Sequence, residues 1–184
     1  MKTQRAYPSR VAEGFRMHNA PTLVTRALHK STIFVTELRC DRPNFGRTAS
    51  MPREDAHLVA LQLRACPDHD LYFDGRRVQP ANYWAGVTSI YDLRHDPVAD
   101  IRDPFHWLMF HLTREALDII ADDAGVPRAG DLRHQPGSAS TIRLCGICYQ
   151  RCSRRWRSLR KPIPYSWTTS LWRSVLTWLT CMVA

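Results

Sequence analysis

The chain has 184 residues, 44% of them hydrophobic and 23% charged, with a net charge of +9. That places it in the globular range, as one domain with an appendage or as two small domains. The N-terminus, MKTQRAYPSR, has no apolar h-region, and no apolar run approaches the length of a spanning helix, so the sequence predicts a cytoplasmic protein without a membrane segment.

The charge is unevenly spread. Residues 1–131 hold 17 Lys+Arg and 17 Asp+Glu, whereas residues 132–184 hold nine Lys+Arg and no acid at all. The same 53 residues carry four of the six Cys and four of the six Trp. A soluble segment of that length without an acidic residue is unusual, which sets a boundary near residue 138.

In chain order, STIFVTELR (31–39) is rich in β-branched residues and predicts a strand. In DAHLVALQLRAC, Val59, Leu61 and Leu63 alternate with Ala60, Gln62 and Arg64, the pattern of a half-buried strand. LYFDGRRVQ carries Asp74-Gly75 between apolar flanks, which predicts a hairpin because a type I′ turn needs positive φ at both central positions. In AGVTSIYDLRHD, Val87, Ser89 and Tyr91 oppose Thr88, Ile90 and Asp92, a second half-buried strand. FHWLMFHL (105–112) reads as a buried strand, although periodicity alone does not exclude a helix. Thr113 then fits the N-cap of REALDIIADDAG, with Ala116, Leu117 and Ile120 as its apolar stripe and Gly125 as its stop. Many short strands followed by helix predict a mainly β fold, a sandwich or barrel with helices at its end.

Reactive constellations are scarce. His106 and His111 are five residues apart, on opposite faces of a strand, so they cannot chelate one ion from that strand. Asp68, His69 and Asp70 could supply metal ligands, but a polar turn before a strand explains them more simply. Cys40 and Cys66 read as reduced, buried or half-buried thiols, and Trp107 and Phe110 as core. No nucleophile elbow, P-loop or dinucleotide fingerprint is present. No catalytic residue, resident metal or cofactor is predicted, and the body points to sensing or assembly.

The segments PREDAHLVALQLRACPDHDLYFDGRRV and AGVTSIYDLRHDPVADIRDPFHWLMFHLTREALDIIADDAGVPRAGDLRHQPG resemble the N-terminal domain of AraC-type transcriptional regulators. APTLVTRALHKSTIFVTELRCDRPNFG looks like the entry strands of that family, and the similarity spans residues 14–138 in family order. The resemblance implies a cupin-like β-barrel, followed by one or two helices, that senses a small effector or mediates dimerisation. Its partners would be that effector and a second copy or an intact regulator. The effector-binding residues cannot be named from sequence. The paired H-x-H ligands of catalytic cupins are missing, which argues against an enzyme.

Family members continue into linker helices and two DNA-binding helix-turn-helix units, neither of which is recognisable in residues 139–184. Three readings compete for that tail. Cys145, Cys148 and Cys152 with His134 could bind zinc, but structural sites usually pair two short knuckles, and only one C-x2-C is present. RRWRSLRK could contact phosphates with Trp156 stacking, and SLWRSVLTWLTCMVA could lie at a membrane surface. The third reading is translation out of frame. Joining the last base of each codon to the first two of the next turns Trp167-Thr168 into Asp and Met182-Val183 into Gly. With synonymous freedom, STIRLCGICYQRCSRRW becomes D-D-P-V-L-R-H-L-L-S-A-L-L-P-A-L, an amphipathic pattern resembling the family's linker. This reading accounts together for the missing acids, the Cys and Trp surplus and the lost DNA-binding units. It is the one adopted: residues 139–184 are expected to be a poorly structured tail, and the chain alone is expected not to bind DNA sequence-specifically.

Overall fold

The structure, a computed structural model, describes residues 7–17, 20–27, 31–78 and 83–124. Its elements are α1 (Tyr7–Gly14), β1 (Thr22–Ala27), β2 (Ser31–Cys40), β3 (Gly46–Arg47), β4 (Ala56–Gln62), β5 (His69–Phe73), β6 (Arg76–Val78), β7 (Thr88–Asp92), β8 (Pro97–Ile101), β9 (Phe105–Thr113) and α2 (Arg114–Ala124). The strands form a five-stranded sheet ordered β1-β2-β9-β4-β7 and a four-stranded sheet ordered β3-β8-β5-β6, with every pairing antiparallel. The mainly β fold expected from the sequence is therefore present.

Register decides which side chains turn inward. Leu58 pairs with His111 of β9 and Tyr91 of β7, and Ala60 pairs with Met109 and Ser89, so these residues share one face. On β2, Leu38 pairs with Trp107, and Phe105, Trp107 and Met109 continue the same inner row along β9. Leu38, Leu58, Ala60, Phe105, Trp107 and Met109 belong to one buried cluster, which Val11 and Phe15 of the α1 region join. Phe15 sits 6.0 Å from the Phe105 ring and 5.8 Å from that of Trp107, so the helix at the start of the fold is fastened by aromatic contact. The sequence reading placed helix only after the barrel; α1 adds one before it.

β4 departs from its half-buried pattern. All seven of its residues are buried, because it lies between β9 and β7 with both faces covered. β7 departs from it as well: Thr88, Ser89 and Asp92 are buried and Ile90 and Tyr91 half-buried, so burial does not follow the two faces. The hairpin is as expected: β5 and β6 pair through Phe73 and Arg76, and Asp74 and Gly75 have φ of +50° and +77°. The N-cap also stands, since the Ala116 amide donates to Thr113 Oγ1 at 3.1 Å and Ala116 and Leu117 are buried. α2 packs against β1, β2 and β9. No described helix is long and apolar enough to cross a membrane. Gly125 and residues 139–184, with the tail expectations, lie outside the described residues.

Candidate functional site

The two sheets enclose a cavity between their inner faces. Apolar walls come from Phe15, Met51, Leu58, Leu71 and Met109, and polar groups from Thr48, His69, Tyr83, Tyr91 and Trp107. It holds about 520 Å³ of unfilled space, its open mouth included, of which about 40 Å³ is open to the centre of a water molecule. On that second measure there is room for about three waters. Such a space, apolar with a few convergent polar groups, has the make-up of a small-molecule site.

His69 reaches it through strand alternation. On β5, His69, Leu71 and Phe73 are buried while Asp70 and Tyr72 face outward. The His69 Nδ1 atom lies 2.8 Å from the Cys66 carbonyl, which only accepts, so Nδ1 carries the proton and donates. Nε2 is then a lone pair, buried and without a hydrogen-bond partner. Burial lowers the His69 pKa and outweighs the opposing effect of the Cys66 hydrogen bond, keeping the ring neutral at pH 7.

Opposite in character is Trp107, whose Nε1–H is also buried without a partner. Its ring stacks on Phe105 at 4.4 Å, which fixes its orientation. The Tyr83 and Tyr91 hydroxyls lie 3.1 Å apart. One donates to the other, and Ser89 acts on both hydroxyls as a further hydrogen-bonding neighbour. Burial raises both phenol pKa values, so both stay protonated. Thr48 Oγ1 accepts from the Ala99 amide at 3.0 Å and keeps its own proton to donate. The described lining of the cavity is thus uncharged, its polar residues all neutral.

The Asp68, His69, Asp70 run does not converge on an ion. While His69 turns inward, Asp68 accepts from Arg102 Nε at 2.6 Å, and Asp70 is held by Arg77 and by Arg102 Nη1 at 3.1 Å. The Arg77 hydrogen bond is the chief reason the Asp70 carboxyl is held below its ordinary range. His106 and His111 lie on opposite faces of β9, His106 Nε2 2.7 Å from Glu37 Oε1 and His111 Nε2 3.2 Å from Glu54 Oε1. Among the described residues no three of His, Cys, Asp and Glu lie together as a metal site would require. Lining the cavity is a single imidazole, with phenol, indole and hydroxyl groups around it, so the donor set does not fit the metal of a catalytic cupin.

Cys66 and Cys40 are free thiols, Cys66 fully buried, and burial pushes its pKa up to about 12. Trp107 and Phe110 are both buried as expected, but Trp107 is also part of the cavity wall. Cys145, Cys148, Cys152, His134 and Trp156 lie outside the described residues. Sequence reasoning did not find Thr48, Tyr83 or Tyr91 as cavity groups. The alternation of Ser89 and Tyr91 was the one available signal, and it placed them on one face without saying which face turns inward.

A double antiparallel sheet whose neighbours are distant in sequence, as β4 beside β9 and β8 beside β3, is a jelly-roll arrangement, the cupin-like barrel. No family profile matches the chain, and no curated protein matches it. Solved structures similar to it include oxalate decarboxylase from Bacillus subtilis, 12% identical over 66% of this chain and 36% of that one, with a TM-score of 0.39. The cupin domain of Schizosaccharomyces pombe Cnp3 is 10% identical over 59% and 76%, with a TM-score of 0.37. A Cupin 2 conserved barrel domain protein from Salinispora arenicola is 11% identical over 57% and 85%, with a TM-score of 0.33. At these scores the assignment rests on the strand order itself.

Proposed function

We propose that the barrel is the effector-sensing and dimerisation domain of an AraC-type transcriptional regulator in the cytoplasm, and that it is not an enzyme. The observation carrying this reading is the cavity: apolar walls, neutral polar residues, and no cluster of metal ligands among the described residues. Such a site can hold and report a small molecule, but it has no activated nucleophile and no charged acid–base pair lining it. The residue pattern of segments 20–46, 52–78 and 85–137 supplies the regulator part of the proposal. Base recognition is assigned to an intact regulator with which this chain would pair.

The test is a thermal-shift screen of the full chain against a mixed metabolite panel in chelator-treated buffer, with hits followed by calorimetry and mass spectrometry. The reading predicts one-to-one saturable binding with the ligand recovered unchanged. Turnover of a bound compound would refute it.

A further inference from the structure

The solvent side of the cavity is built differently from its other walls. Leu58, His69, Leu71 and Met109, on the strands, are buried, whereas Ala49 is exposed and Met51 half-buried. Both belong to residues 48–54, which follow β3 outside any strand or helix. The Ala49 amide donates to the Gly14 carbonyl at 2.8 Å, and a Cβ on Gly14 would stand 3.4 Å from Met51 Cγ, so the segment seats closely on the end of α1. Two turn carboxylates fasten it. Asp96, between β7 and β8, accepts from Ser50 Oγ at 2.6 Å and from the Met51 amide at 3.2 Å. Asp74, in the β5–β6 turn, accepts from Arg53 Nη2 at 2.8 Å. The two turns are tied to each other, since the Asp96 amide donates to Asp74 Oδ1 at 3.1 Å and the Asp74 amide to the Asp96 carbonyl at 3.2 Å.

We propose that residues 49–53 are a strap across the barrel mouth, latched by Asp96 and Asp74, and that its release is the way into the cavity. The purpose of the strap rests on the sensing reading, but its motion is tested without a ligand. With the strap down there is room for about three waters, so a metabolite enters when a wall moves. The strand walls are held by their ladders and by the core. The strap is held by a few polar contacts, and its side of them is solvated: Ser50 is exposed, and the Arg53 side chain is 64% exposed. Contacts of that kind contribute little in water, so the strap opens while both sheets stay closed.

The thiol introduced by Leu71→Cys, at a buried lining position, reports access to the cavity; Cys66, fully buried and outside the described lining, reports unfolding. Both are followed in the full chain by peptide mass spectrometry after timed exposure to methyl methanethiosulfonate. Ala99→Cys, at the lining position paired with Leu71, is the second reporter if Leu71→Cys does not fold. Adding Ser50→Ala, which keeps every charge and removes one exposed hydroxyl, should speed modification of the introduced thiol about fivefold. Asp96→Ala, which removes both of its latch hydrogen bonds, should speed it about tenfold or more, with Cys66 unchanged in each case. Should Asp96→Ala unfold, Cys66 shows it, and Ser50→Ala decides. An introduced thiol that reacts at one rate in all backgrounds, or that quickens in Ser50→Ala merely in step with Cys66, would overturn the strap. The sensing reading would then stand or fall by the ligand screen alone.

Discussion

Replacing Asp92 by Asn removes a buried charge whose stabilisation can be worked out from its surroundings. Asp92 ends β7 opposite His57 of β4, and its side chain is 7% exposed. Burial alone would raise its pKa. The Arg94 guanidinium, at 3.0 Å from Nε and 2.6 Å from Nη2, and the Arg94 amide, at 2.9 Å, outweigh that effect and hold the carboxyl at about 2 against an ordinary 3.8. The difference corresponds to about 2 kcal/mol at pH 7. Because the unfolded chain holds the proton more tightly, this stabilisation is present above 3.8 and disappears as the pH falls through 3.8 towards 2. Asn keeps an oxygen for the Arg94 amide, and Arg94 remains partly exposed, so no uncompensated buried charge is left behind. Urea unfolding followed by tryptophan fluorescence should show Asp92→Asn less stable by about 2 kcal/mol at pH 7, with the difference roughly halved at pH 3. An equal penalty at both pH values, or none at pH 7, would refute the reasoning.

Further expectations concern the core and the buried polar groups. Leu58→Ala, on the inner face of β4, should cost about 2–5 kcal/mol in denaturant unfolding. Thr113→Ala should cost about 1 kcal/mol through loss of the α2 cap, a change Thr113→Ser should largely restore. His57 is fully buried with both ring nitrogens unpartnered, and burial lowers its pKa. The unfolded chain therefore takes up protons first, and stability contributed by this site falls as pH drops below 6.5. His57→Leu should remove that part of the pH dependence and gain on the order of 1 kcal/mol at pH 7, measured by thermal unfolding from pH 8 to pH 5.5. Cys66, with its thiol at about 12, should resist iodoacetamide at pH 8 in the folded protein and react on unfolding, as peptide mass spectrometry would show.

Much of the framework was legible because its signals are local. The Asp74-Gly75 turn, the Thr113 cap and the run 105–112 each depend on a few neighbouring residues, and each stands in the structure. β8 was missed because PVADI starts with a proline and carries Asp100, while its hydrogen bonds go to β5 and β3, far away in sequence. The α1 region offered Val11 within the helix and Phe15 just after it as an apolar pair four apart, and its hold comes from the aromatic contacts of Phe15 with Phe105 and Trp107. His69 is the instructive case. Flanked by Asp68 and Asp70, it looked like part of a polar turn, yet stepping back by twos from Phe73 and Leu71 puts it on the buried face. That period was present in the sequence; the cavity it opens into was not, because Tyr83, Tyr91 and Thr48 reach it from other strands and loops.

The central claim is that the barrel interior is a ligand site. It is tested most directly by the Trp107 indole N–H signal of the full chain, followed through titration with the metabolite panel, in parallel with Ala99→Phe. Ala99 lines the cavity, so a phenyl ring built there occupies the ligand's space. The account predicts saturable one-to-one shifts of the Trp107 signal in the native chain and their loss in folded Ala99→Phe. Shifts that persist unchanged in Ala99→Phe, or a Trp107 signal that no compound moves, would contradict it.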